Sequence, residues 1–138
     1  MKDPFNICIV DDDDIYQFTM TKILESLNLS KKIILFSDGE EALDFMIGNL
    51  NRQNELPDVI FLDVNMPIMD GFQFMEEYIK IKPEVNKQII IYMVSSSVDP
   101  VDIERAKSLN EISDYIIKPI KKGELVDIIK KLEEHGSL

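Results

Sequence analysis

A chain of 138 residues with 45% apolar and 30% charged content is the size of one domain with a substantial core. Its net charge of −11 disfavours nonspecific nucleic-acid binding, because a phosphate backbone would be repelled. No apolar run approaches bilayer-spanning length, the start Met1-Lys2-Asp3-Pro4 lacks a signal-peptide core, and Cys8 is the only cysteine, so a reducing, cytoplasmic setting without disulfide or membrane is expected.

In chain order, Ile7–Val10 is a short β-branched run suited to a buried strand, with Cys8 as a small buried hydrophobe. It leads into Asp11-Asp12-Asp13-Asp14, and Asp14 reads as the N-cap of a helix over about Ile15–Leu27 whose apolar positions include Phe18, Ile23, Leu24 and Leu27. Ile33–Phe36 is a second run, and Ser37-Asp38-Gly39 precedes a helix with Ala42, Leu43, Phe45 and Met46 toward the core. The polar stretch Gly48–Glu55 reads as a surface loop. Val59–Leu62 then runs into Asp63, and Asp70-Gly71 opens a third helix carrying Phe72, Phe74, Met75, Tyr78 and Ile79.

Ile89–Val94 runs into Ser95, and Asp99-Pro100 opens a fourth helix with Pro100 in its first turn. Tyr115–Ile117 runs into Lys118-Pro119. Gly123-Glu124 sits near the start of a fifth helix, with Leu125, Ile128, Ile129 and Leu132 at helical spacing and Gly136 as its C-terminal stop. Continuous apolar runs of this kind suit strands buried on both faces. Five βα units therefore predict an α/β fold, one doubly wound parallel sheet with helices on both faces, too small for a closed eight-stranded barrel.

In such a sheet, ligands bind at the carboxyl-end rim. Four of the runs end there in groups suited to phosphate chemistry: Asp11-Asp12, Asp63, Ser95 and Lys118. Clustered carboxylates repel one another, a conflict that a hard divalent cation such as Mg²⁺ resolves with oxygen ligands. Asp63 suits either a third metal ligand or a nucleophile forming an acyl phosphate, and spacing alone does not separate those roles. Asn65 offers a backbone carbonyl to a metal or simply serves a turn. Ser95 suits a hydrogen bond to a phosphoryl oxygen, and Lys118 suits pairing with Asp63 and then with a phosphoryl group.

Together, Val10-Asp11-Asp12-Asp13, Phe61-Leu62-Asp63-Val64-Asn65-Met66-Pro67 with Asp70-Gly71, Val94-Ser95-Ser96, and Tyr115-Ile116-Ile117-Lys118-Pro119 resemble the receiver domain of two-component response regulators. The resemblance covers nearly the whole chain, as a single receiver domain without an output domain. It implies a flavodoxin-like sheet of order 2-1-3-4-5 with the second strand at an edge. It implies Asp63 as phosphoacceptor and Asp11 and Asp12 as the acidic pair for Mg²⁺, with Asp12 the direct ligand and Asp11 acting through water. The carbonyl of Asn65 completes the metal ligands. Ser95 and Lys118 contact the phosphoryl oxygens.

The switch implied by the resemblance moves Ser95 toward the phosphate and turns the ring of Tyr115 inward, reshaping the face of the fourth and fifth helices; the alternative is a half-buried strand aromatic. Ser95 stands where threonine is common, and Ser96 where alanine is common. The donor is a sensor histidine kinase or a histidine phosphotransfer protein, because His135, in the terminal turn, is the only histidine of the chain. The output is protein docking or onward phosphotransfer rather than an enzyme activity on other substrates.

Two rival readings follow from the same residues. A metal-dependent phosphohydrolase using an aspartyl-phosphate would want a second acid where Asn65 stands. A non-phosphorylated pseudo-receiver would not need the intact set Asp11, Asp12, Asp63 and Lys118. A calcium loop fails, since neither Asp11 nor Asp63 begins a run with the required Gly and terminal Glu.

Overall fold

Alternating strand and helix patterns resolve into five βα units in the computed structural model, which describes residues 5–27 and 31–134. Strands β1 (Phe5–Val10), β2 (Lys31–Phe36), β3 (Val59–Asp63), β4 (Ile90–Ser95) and β5 (Ile112–Ile117) form one sheet in the order β2-β1-β3-β4-β5, every neighbouring pair parallel. Helices α1 (Asp14–Glu25), α2 (Gly39–Gly48), α3 (Gly71–Ile81), α4 (Pro100–Lys107) and α5 (Lys122–Glu134) connect and close the units. The proposed helix stop Gly136 and the lone histidine His135 lie outside the described residues.

The period-two alternation of the central strands builds two cores. Cys8 and Val10 of β1, with Ile60 and Leu62 of β3, face a layer containing Met46, Phe74 and Met75 from α2 and α3. Their neighbours Ile7, Ile9, Val59 and Phe61 face Met20 and Leu24 of α1 and Leu125 and Ile129 of α5. Burying each such side chain contributes about 1.5–3 kcal/mol, so these two layers dominate the stability of the sheet.

Burial on both faces holds for β1 and β3 but not for the edge strands. Leu35 of β2 is 44% exposed and Ile117 of β5 is 39% exposed, because each edge strand has a neighbour on one side only. The fifth strand begins three residues before the run that suggested it. Ser113 and Asp114 are polar and exposed, which hid its start. The register also slips there: Ile91 pairs with Ile112 but Tyr92 with Asp114, leaving Ser113 as a bulged residue. A one-residue slip exchanges the faces of every later side chain, so the bulge sets which way Tyr115 and the end of β5 point.

One expectation for α1 is corrected. Its N-cap is Asp13, whose carboxylate accepts from the amides of Ile15 and Tyr16, and Asp14 is the exposed first helical residue. Phe18 is 62% exposed, because the inward stripe is Gln17, Met20 and Leu24; the ring lies out on the surface with Lys22 Nζ 5.3 Å from its centroid. The other starts match their signals. Asp38, Asp70 and Asp99 cap α2, α3 and α4, Asp70 through a reciprocal capping box with Gln73, and Pro100 occupies the first turn of α4. The polar loop after α2 contains one 3-10 turn, Gln53–Glu55.

The amino-end rim of the sheet is closed by a polar network. The buried Asn6 donates through its side chain to the carbonyls of Asn54 and Leu56, both at 2.9 Å, and through its amide to Asp58 Oδ2 at 2.7 Å. Lys87 Nζ pairs with Asp58 Oδ1 at 3.0 Å and donates to the Leu56 carbonyl at 2.8 Å. These bonds fasten β1 to the segments preceding β3 and β4.

Candidate functional site

Strand register brings the carboxyl-end groups together. Val10 is level with Leu62, Asp63 with Val94, and Ser95 with Ile117, so Asp11, Asp63, Ser95 and Lys118 emerge side by side from four adjacent strands. Asp11, Asp63 and Ser95 are buried, while Asp12 beside them is exposed. Lys118 Nζ reaches across the rim, 2.7 Å from Asp11 Oδ2 and 3.3 Å from Asp63 Oδ1. The Lys118–Pro119 peptide bond is cis, and the Lys118 amide donates to the Ser95 carbonyl at 2.8 Å.

Backbone constraints hold each carboxylate in place. Asp11 Oδ1 accepts from the Asp13 amide at 2.9 Å, so the acidic turn is folded around its own first member. Asp63 ends β3, and the chain returns immediately behind it: the Gly71 amide donates to the Val64 carbonyl at 2.9 Å. A Cβ on Gly71 would lie 2.5 Å from the Asp63 carbonyl oxygen and 3.0 Å from Val64 Cα, so only glycine permits this approach. Gly39 serves a similar end at the start of α2, where its Cβ would meet the Met69 carbonyl at 2.8 Å. Between them, exposed Ile68 adopts a positive φ of 67° in the loop that carries Asn65.

Electrostatics follow from this crowding. Burial, reinforced by the charge of Asp11 and opposed by Lys118, pushes the Asp63 carboxyl up to about 6. Burial alone would lower Lys118, but its hydrogen bond to Asp11 and the charges of Asp63 and Asp11 prevail and hold it above the ordinary lysine value. Carboxylate oxygens of Asp11, Asp12 and Asp63 lie within 4.8 Å of one another. Three hard oxygen donors, one of them open to solvent, fit a cation such as Mg²⁺ that keeps part of its water shell.

Ser95 Oγ accepts from the Ser97 amide at 3.0 Å. Ser97 Oγ in turn donates to Asp102 Oδ2 at 2.7 Å and accepts from the Asp99 amide at 3.2 Å, tying the loop after β4 to the start of α4. Tyr115 is half-buried. Asn65 is exposed, two residues beyond Asp63 in the loop after β3.

Two neighbours of the site lay beyond reach of the sequence. Gln17 is buried on α1 and donates to the carbonyls of Asp11 at 2.7 Å and Phe36 at 2.8 Å, joining the ends of β1 and β2. Tyr16 places its ring under Lys118, with Nζ 4.6 Å from the centroid. A polar residue within an apolar helix face is a weak signal for Gln17; Tyr16 has none, because its contact is with Lys118, about a hundred residues further along the chain.

The sequence matches the family model described as the response regulator receiver domain over residues 7–130. It is 28% identical to the probable methanogenesis regulatory protein FilR2 of Methanothrix harundinacea over 134 residues, covering 97% of this chain and 84% of that one. It is 29% identical to hybrid signal transduction histidine kinase L of Dictyostelium discoideum, covering 95% of this chain but only 7% of that much longer protein. The structure superposes on a two-component response regulator from Cytophaga hutchinsonii with a TM-score of 0.81 and 25% identity, covering 96% and 99% of the two chains.

The chain belongs to the receiver-domain family of two-component response regulators, and its fold is the flavodoxin-like fold of that family. Receiver domains are phosphorylation-activated signalling switches that work with histidine kinases or phosphotransfer proteins and bind Mg²⁺ in an acidic pocket. Among the described residues, no helix is long and apolar enough to cross a membrane.

Proposed function

We propose that Asp63 is the phosphoacceptor of this receiver and that Lys118 is its charge partner. The observation that carries this reading is the ammonium of Lys118 bridging Asp11 and Asp63 beside a cluster of three carboxylates. An Asp63 oxygen attacks the phosphorus of a phosphohistidine in line. The P–O bond forms as the P–N bond breaks, and the electron pair leaves with the imidazole nitrogen. Lys118 and Ser95 hold the phosphoryl oxygens, and catalysis rests on positioning and charge neutralisation. Asp11, Asp12, Asp63 and the backbone carbonyl of Asn65 would hold Mg²⁺, which neutralises charge on the transferred group when bound.

The phosphoryl donor is a sensor histidine kinase or a histidine phosphotransfer protein. Phosphorylation adds about −1.5 to −2 charge beside buried Ser95. Through Ser95 and Tyr115 that charge reshapes the α4–α5 face, where the domain docks a downstream protein or passes the phosphoryl group onward. Exposed Val98, Val101 and Ile117 supply apolar surface suited to docking. A net charge of −11 argues against nucleic acid or an anionic membrane as that partner, and a cytoplasmic location is consistent with a kinase as donor. The domain acts catalytically only on its own phosphorylation state.

Incubation with Mg²⁺ and a small acyl-phosphate donor should give a phosphoryl-sized mass gain that Asp63→Asn abolishes. No gain in the parent chain would favour a pseudo-receiver. Rapid turnover of assorted phosphomonoesters would favour a phosphohydrolase.

A further inference from the structure

We propose that Tyr16 is a positioning residue for Lys118, its ring face holding the ammonium at the rim between Asp11 and Asp63. The proposal rests on the reading of Asp63 as phosphoacceptor for its effect on rate, but the hold on Lys118 stands on geometry alone. Lys118 Nζ is 2.7 Å from Asp11 Oδ2, 3.3 Å from Asp63 Oδ1 and 4.6 Å from the centroid of the Tyr16 ring. A lysine has a compact, strongly hydrated head on a flexible four-carbon stem, and two carboxylates alone leave one side of that head to water. The ring adds a contact of a kind that neither carboxylate supplies, its negative face attracting the cation.

Placement of the ring is fixed by the acidic turn itself. Asp13 Oδ1 accepts from the Tyr16 amide at 3.2 Å, and the next residue, Gln17, is bonded to the Asp11 carbonyl. Below, Tyr16 packs against the core layer that contains Ile120 and Leu125, so the ring sits between that layer and the lysine. The hydroxyl is enclosed and has no hydrogen-bond partner among the described residues. A buried, unpartnered hydroxyl is a cost, so the ring is the part of this side chain that the arrangement exploits.

The ring contact also differs in kind from the carboxylate contacts. A cation held by Asp11, Asp12 and Asp63 would compete with Lys118 for two of the same carboxylates, whereas the face of the ring offers it no oxygen. Tyr16 therefore keeps Lys118 near Asp63 when the carboxylates are engaged, which is the state in which a phosphoryl group must be met.

The test uses Tyr16→Leu, which removes the π face, and Tyr16→Phe, which keeps it. Mass gain from acetyl phosphate and Mg²⁺ should slow roughly five- to tenfold in Tyr16→Leu and return to within about twofold of the parent rate in Tyr16→Phe. A second readout needs no metal. Acetylation of Lys118 by an N-hydroxysuccinimide ester, followed by peptide mapping, should be several-fold faster in Tyr16→Leu and near the parent rate in Tyr16→Phe. If Tyr16→Leu fails to fold by circular dichroism, Tyr16→Met carries both expectations. Parent-like labelling together with parent-like acetylation in the leucine or methionine variant overturns the proposal, as does a phenylalanine variant as impaired as the leucine one. If the parent chain takes no phosphoryl group, the reading of Asp63 fails, and the acetylation comparison alone still decides whether Tyr16 holds Lys118.

Discussion

The hydroxyl of Tyr115 donates a hydrogen bond to the backbone carbonyl of Ser97 at 3.0 Å. Since the amide of Ser97 donates to Ser95 Oγ, the rim hydroxyl and the β5 aromatic are joined through the two ends of one residue. Neither bond is visible from spacing, yet with the Ser97 Oγ–Asp102 bond they link Ser95 at the rim to the start of α4.

Tyr115→Phe removes that donor and should cost about 1 kcal/mol of stability. Hydrogen exchange should speed up across residues 96–102, while labelling of Asp63 stays within about twofold of the parent rate. Loss of labelling as well would assign Tyr115 a structural role at the site.

The raised carboxyl of Asp63 makes a signed pH prediction. Its folded-state value of about 6 exceeds the ordinary 3.8, so the folded protein holds this proton more tightly than the unfolded chain. Stability from this group is therefore full below about 3.8 and lost as pH rises through about 6. In thermal melts without divalent cation, Asp63→Asn should be more stable than the parent at about pH 8, and the gap should narrow by about pH 5. Mg²⁺ binding should move oppositely, weakening as Asp63 protonates below about pH 6. A melt difference independent of pH would refute the shift.

Lys118→Ala leaves Asp11 and Asp63 facing one another with no cation between them. Labelling from an acyl phosphate should fall on the order of 100-fold, the usual scale for losing one charge-stabilising donor. The metal-free variant should melt lower than the parent, and Mg²⁺ should raise its Tm by more than it raises the parent's, since the ion replaces the missing charge. An equal rise in both proteins would mean that Lys118 does not neutralise the pair.

Gly71→Ala places a Cβ 2.5 Å from the Asp63 carbonyl oxygen unless the loop shifts. Overpacking of this sort costs about 1–3 kcal/mol, and here the strain falls on the backbone of Asp63, the proposed phosphoacceptor. Both Tm and labelling rate should drop. A melt within about one degree of the parent would show that the loop yields freely.

The rim was legible in the sequence because Asp11, Asp63, Ser95 and Lys118 each end an apolar run, and parallel strands bring such ends together. The helix starts at Asp38, Asp70 and Asp99 were legible for a local reason, since capping is settled within three or four residues. Four successive aspartates offer competing caps, so the reading of Asp14 is one residue off: the carboxylate that accepts from the Ile15 and Tyr16 amides is that of Asp13. The bulge at Ser113, the bonds of Gln17 and the seat of Tyr16 depend on partners far away in the chain, so periodicity carried no trace of them. Phe18 is apolar but lies off the inward stripe of α1, so its hydrophobicity alone says nothing of burial.

The network of Asn6, Asp58 and Lys87 gives the sheet two ends of different mechanical character. At its amino end, β1 is bolted to the approaches of β3 and β4 by paired donors and acceptors. At its carboxyl end, Lys118 is shared between two carboxylates, and Ser95 depends on a loop amide. Asp63 therefore stands at the end of the sheet opposite the Asn6 network, level with the hydrogen-bonded run from Ser95 through Ser97 to Asp102 of α4.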